Sequence, residues 1–215
     1  MIAPFLLALP LLLQEQPQKP GQKPEQKKVE EYKFEAGTEE FRFGTTVVAS
    51  DGFEGTVYFI QEGAMALPNF KKLKPVGKIY ANSLNVPPQA FDEGFPGITD
   101  RFEWFAIDYT AFFYISKPGR YTFALISDDG SKLFIDDKIC IDNDGLHGPR
   151  GIAGDRNRKE GLHTIRVQYY QGPRNTVALM LAVAAKGEEL HIFRCKDFRP
   201  PPGWVAPPPK GQKKK

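Results

Sequence analysis

Two aspartates stand side by side at Asp128 and Asp129, followed by Gly130, and further acids recur at Asp136, Asp137, Asp142 and Asp144. Adjacent carboxylates repel one another unless a cation lies between them. A hard cation such as calcium takes six to eight oxygens, and carboxylates are its usual protein ligands. Successive side chains of a regular strand point to opposite faces, so Asp128 and Asp129 share one ion only where the backbone leaves regular geometry, through a strained or cis non-proline peptide. The tripeptide Asp-Asp-Gly also reads as a solvated turn, because both residue types favour turns. Local chemistry leaves both readings open.

The elements that position these acids are strands. Tyr121, Phe123 and Leu125 alternate with Thr122, Ala124 and Ile126, the period-two pattern of a strand with one face on a core. Leu133, Phe134 and Ile135 resume the pattern after the acidic turn, and Asp136 and Asp137 turn the chain again. A second acidic loop follows, with Asn143, Asp144, His147 and Arg150 within polar reach of a ligand. It fails as an EF-hand, since Cys140 and Gly151 occupy the first and twelfth positions, where carboxylates are needed.

The segments PGRYTF (118–123), SDDGSKLFIDD (127–137) and IDNDGLHG (141–148) together resemble the PA14 domain family, named for the fourteen-kilodalton fragment of anthrax protective antigen. EGTVYF (54–59) resembles the family's opening strand, EWFAIDYTAFFYIS (103–116) the strand that leads into the acidic hairpin, and EGLHTIRVQYYQGPRNTVALMLAV (160–183) its closing strands. The resemblance covers about residues 54–187. It implies an all-β, antiparallel β-sandwich or barrel that commonly binds carbohydrate through calcium, with Asp128 and Asp129 as ligands joined by a cis peptide. Fungal members complete the metal site with an asparagine from a later loop, a place taken here by Asn175. Loops carrying Asn143, Asp144, His147, Arg150, Arg174 and Asn175 then set ligand selectivity.

Composition agrees with one such domain between tails. A chain of 215 residues, 41% of them hydrophobic, buries a sizeable core. Residues 2–13, IAPFLLALPLLL, are too short an apolar run to span a membrane and match the h-region of a secretory signal, so we expect export to the periplasm, cell surface or medium, with no transmembrane span in the mature protein. Residues 14–28 and 199–215 are rich in Gln, Pro, Lys and Gly and read as disordered segments. Between them, residues 29–198 form the expected sandwich, with one or two edge strands before residue 53 and a long irregular excursion over 68–100 around a short strand at 78–81. Of the net charge of +3, the linker carries +2 and the tail +5, which leaves −4 on the body. An acidic body argues against nucleic acid as a partner, because phosphate contact needs a basic face.

The two cysteines, Cys140 and Cys195, are either a disulfide of an exported protein or two small apolar core residues. Trp204, in the Pro-rich tail, either docks on the domain or stays exposed. Three histidines, without a nucleophile elbow, a phosphate-binding glycine loop or a zinc-binding His pair, supply no catalytic constellation. Trp104, Phe105, Tyr109, Phe112, Phe113 and Tyr114 fall on expected strands and read as core. The expectation is a non-catalytic, exported module that binds a glycan or polysaccharide through calcium. The alternative is a structural or protein-interaction module of the cell envelope, in which the acidic turn only serves the fold.

Overall fold

The structure, a computed structural model, describes residues 26–29, 52–91, 94–98 and 101–206. The expected secretory signal, the linker up to residue 25, the expected strands at 30–51 and the tail from 207 lie outside the described residues.

Alternating apolar residues build two antiparallel sheets. One has the order β1 (Gln26–Val29), β9 (Arg150–Arg158), β6 (Gly119–Asp128), β11 (Thr176–Ala185) and β12 (His191–Ile192), with β4 (Asn85–Ala90) also paired to β11. The other runs β3 (Pro75–Ala81), β2 (Phe53–Phe59), β5 (Phe105–Ile115), β10 (Gly161–Gln171), β7 (Ser131–Ile135) and β8 (Lys138–Asn143). Phe105, Ile107, Tyr109, Phe113 and Ile115 of β5 face Tyr121, Phe123 and Leu125 of β6 and Leu179, Leu181 and Val183 of β11 in one core. Each such side chain contributes about 1.5–3 kcal/mol by leaving water. The result is the β-sandwich that the alternation predicts.

The β7–β8 hairpin turns through Asp136 and Asp137, with φ of 49° and 61°. Two positive φ values define the turn that matches strand twist, and aspartate tolerates that region better than most residues. Asp136 is further pinned. Its carboxylate accepts from Arg158 Nη1 at 2.6 Å and from the Thr164 N–H at 3.0 Å, and it lies 2.8 Å from His163 Nδ1.

Three boundaries differ from the sequence reading. Gln26–Lys28, read as the end of the linker, start β1 and pair with β9, because backbone pairing to a sheet edge needs no apolar side chain. The excursion over 68–100 holds a 3-10 turn at Phe70–Lys72, a longer β3 and β4. Pro87 and Pro88 are tolerated in β4 because it lies on a sheet edge. Residues 199–206, read as disordered tail, follow the domain: the Trp204 ring meets Tyr114 edge-on, with centroids 5.5 Å apart.

The Cys140–Cys195 bridge is not formed. Both cysteines are buried thiols in the main core, which is the second of the two readings. Burial pushes the Cys140 thiol up to about 11. We expect neither cysteine to react with a thiol reagent at neutral pH in the folded protein, and two thiols to titrate after denaturation without reductant; a count of zero would restore the bridge.

Candidate metal and ligand site

Strand β6 ends at Asp128 and β7 begins at Ser131, so Asp128, Asp129 and Gly130 form the connection between the two sheets at one end of the sandwich. The Asp128–Asp129 peptide is cis, as the family resemblance implies. Both residues are only 4% exposed.

Each carboxylate is held by the β10–β11 connection. Asp128 Oδ2 accepts a short hydrogen bond from the Thr176 hydroxyl, while its Oδ1 accepts from no described residue. Asp129 Oδ2 accepts from the Gly172 N–H at 2.7 Å, and Oδ1 accepts from the His147 N–H at 3.2 Å. Gln171 Nε2 lies 3.5 Å from Asp129 Oδ2. Tyr169 Oη sits 2.7 Å from the Asp128 carbonyl and 2.6 Å from Gln171 Oε1, two acceptors for a single proton. Among the described residues no lysine or arginine is ion-paired with either aspartate.

The electrostatics follow from that arrangement. Burial raises the pKa of Asp128, against the opposing effects of the Thr176 hydroxyl and His147. Burial likewise raises that of Asp129, with the charge of Asp128 adding to it and the Gly172 N–H opposing. Two desolvated carboxylates without a cation are a site in want of positive charge. Among the described residues no group of three or more His, Cys, Asp or Glu side chains gathers. Asp128 and Asp129 therefore fit a hard cation as two anionic ligands, and most of its six to eight positions fall to backbone, water or ligand oxygens.

Two glycines make the close approach possible. A Cβ on Gly172 would lie 3.0 Å from Asp129 Oδ2 and 2.9 Å from Leu146 Cδ1. One on Gly130 would meet Tyr170 Cε1 at 2.5 Å and the backbone N and O of Gly145 at 2.9 Å. Gly130 thus locks the aspartate turn against the Asp142–Gly148 loop.

The remaining sequence candidates divide into two groups. Asn143, Asp144 and Arg150 spend their polar groups on one another and on the protein around them. Asn143, fully buried, donates to Ser127 Oγ and to the Arg150 carbonyl, both at 3.0 Å, and accepts from Arg150 Nε at 2.6 Å. Asp144 Oδ1 accepts from the N–H groups of Leu67 and Gly145 at 2.8 Å, and Oδ2 pairs with Lys132 Nζ at 3.0 Å. His147 touches the site through its backbone, while its ring nitrogens lie 2.8 Å from the Gly148 carbonyl and 3.0 Å from the Asn143 carbonyl. Arg174 and Asn175 form the second group, exposed on the loop whose neighbours Gly172 and Thr176 hold the aspartates. Their backbones bind the Glu103 carboxylate and the Phe91 N–H, at 3.1 and 3.2 Å. Thr176, Gln171, Gly172 and Tyr169 are site residues that the sequence reading passed over; the only cue to the first three was their place in QGPRNT at the end of a long strand, and Tyr169 lies within that strand.

Tyr170 is the remaining anomaly. It is fully buried under Ile60 and Phe70, its hydroxyl finds no hydrogen-bond partner among the described residues, and burial, with Asp129 and Asp144 adding, pushes the phenol far up. An unpaired buried hydroxyl costs about 1–3 kcal/mol. Tyr170→Phe should therefore leave the melting temperature unchanged or raise it; a fall of several degrees would mean that the hydroxyl has a partner.

Among solved structures, the fold is similar to the PA14 domain of MpAFP antifreeze protein, at 16% identity and a TM-score of 0.58, over 71% of this chain and 93% of that one. It is similar to the PA14 sugar-binding domain from RTX adhesin, at 14% identity and a TM-score of 0.53, over 69% and 97%. An anti-sigma factor domain-containing protein matches at 19% identity and a TM-score of 0.54 over 73% of this chain, which spans half of that protein's length. No curated protein matches the chain in sequence. The PA14 domain family itself matches over residues 66–189, more than half of the chain, so the protein belongs to the PA14 domain family.

Proposed function

We propose that this domain is an exported, non-catalytic recognition module that binds a glycan through calcium held by Asp128 and Asp129. The observation that carries this reading is the pair of buried, adjacent carboxylates that no described lysine or arginine neutralises, with Asp128 Oδ1 accepting from no described residue and the exposed Arg174 and Asn175 on the loop that holds them. The similarity to the PA14 sugar-binding domain from RTX adhesin supports it. Calcium supplies a hard centre that accepts two vicinal sugar hydroxyls alongside the carboxylates. The chain's own residues do the rest. Thr176, Gly172 and the His147 N–H orient the carboxylate oxygens, and Arg174 and Asn175 meet the sugar at the rim.

A polar, wet site of this size gains little apolar burial, so a single sugar should bind at about millimolar strength, roughly −4 kcal/mol, and multivalent display should improve on it. A glycan array probed with the full chain in calcium and in chelator tests the reading. Arg174→Ala and Asn175→Ala should leave the fold intact and reduce binding to a multivalent glycan, and Asp128→Asn should remove it. A calcium-loaded chain that binds no glycan yet retains a protein from an envelope extract would instead be an interaction module.

A further inference from the structure

A second cleft, of about 460 Å3, opens on the sheet of β1, β9, β6 and β11, at the end away from the aspartate pair. Thr122, which lines it, lies six residues before Asp128 on β6, roughly 20 Å at about 3.3 Å per residue. The volume is that of a small-molecule site. Thr122 alternates with the core residues Tyr121 and Phe123, so the cleft faces away from the core.

Its floor is Ala153, Gly154, Ala184 and Ala185, and its charges are Lys27, Arg120 and Lys186 against Asp155 and Glu188, an excess of one positive. Asp155 is already engaged: Oδ2 accepts from Arg120 Nη2 and Oδ1 from the Thr122 hydroxyl, each at 2.6 Å. Burial works against its ionisation, but Arg120, Thr122 and the charge of Lys27 outweigh it and hold the carboxyl below its usual range. Among the described residues neither Lys27 nor Lys186 lies within ion-pair distance of a carboxylate. A ligand entering over the small floor meets two ammonium groups, neither of them ion-paired among the described residues, contributed by separate elements, the added strand β1 and the turn after β11.

We propose that this cleft is a second site, independent of calcium, for a ligand that presents carboxylates to Lys27 and Lys186. Compact ammonium charges suit isolated anionic groups. Nucleic acid is the poorer fit, because duplex binding rests on many phosphate contacts and the cleft has an excess of one charge. The site stands apart from the aspartate pair, so it holds whether or not that pair takes calcium.

The test is binding of the full chain to polygalacturonate in the presence of chelator. Binding should persist without calcium and in Asp128→Asn, weaken as salt rises, and fall at least tenfold in the double variant Lys27→Ala/Lys186→Ala, whose melting temperature should match the parent's. The double variant Lys27→Arg/Lys186→Arg should keep most of the affinity. Unchanged binding in the alanine variant would assign the anion to the Lys-rich tail and overturn the proposal. Equal affinity for duplex DNA, a requirement for calcium, or no binding at all would overturn it too.

Discussion

Saturating calcium should raise the melting temperature of this domain, and neither Asp128→Asn nor Asp129→Asn should show the shift. An ion that binds only the native state stabilises it by about 2.7 kcal/mol at one hundred times its Kd, which for a domain of this size is roughly 5–10 °C. The starting point without metal is set by burial. Burial raises the pKa values of Asp128 and Asp129 above the ordinary aspartate range, so the fold favours their protonated forms. That contribution is full below the unfolded-state pKa and is lost as pH rises through the raised folded-state values. In chelator, the parent should therefore lose stability on going from about pH 4 toward neutrality as far as these two groups decide it, and calcium should reverse the loss.

The two variants then part ways. Asparagine at 128 keeps one oxygen for the Thr176 hydroxyl and turns its amide toward the open side, so metal-free Asp128→Asn should melt at or above the parent. Asparagine at 129 sets an amide against either the Gly172 or the His147 N–H, and metal-free Asp129→Asn should melt below it. Calorimetry on the three proteins, in calcium and in chelator, reads both effects. A parent curve indifferent to calcium would sink the metal assignment, and an Asp128→Asn protein that melts well below the metal-free parent would show that the carboxylate serves the fold.

Much of this site was legible because it follows strand periodicity. The alternation through Tyr121, Phe123 and Leu125 leads directly to Asp128, and the next run at Leu133 bounds the acidic turn, so sequence alone places both aspartates between two strands, although it does not show that these strands belong to different sheets. Residues that depend on another strand's register were not legible. Thr176, whose hydroxyl reaches Asp128, stands next to Asn175 in the β10–β11 connection, and one residue along that loop separates a half-buried residue that holds the aspartate from an exposed one at the rim. The loop through Asn143, Asp144 and Arg150 has the composition of a ligand-facing segment, but burial of Asn143 and the reach of the Leu67 N–H to Asp144 fold that polarity inward. Strand β1 escaped notice for a different reason. Its Gln and Lys residues carry no apolar signal, and the edge of β9 recruits it by backbone hydrogen bonds.

Gly130→Ala should be among the most damaging single changes in the domain, although it adds only one methyl group. The new Cβ would stand 2.5 Å from Tyr170 Cε1 and 2.9 Å from the backbone N and O of Gly145. None of these neighbours is the loose end of a flexible chain. The Tyr170 ring is buried among Ile60, Phe70 and Ala106, and Gly145 is fixed by its own N–H to Asp144, whose carboxylate also holds the Leu67 N–H and Lys132. Relief must move either the ring and its cluster or the backbone of both loops. Overpacking of this kind costs about 3 kcal/mol, or roughly 6–12 °C in melting temperature. Movement of the turn also carries Asp129 away from the Gly172 and His147 N–H groups, so the calcium response should be lost along with the stability. Gly148→Ala is the control. It lies in the same loop, a Cβ there has nothing within 4 Å, and its φ is not in the left-handed region, so it should melt with the parent and keep the response. If Gly130→Ala instead matched Gly148→Ala in both measurements, the turn and the Asp142–Gly148 loop would be free to separate, and the locked geometry that orients the carboxylates would not exist in solution.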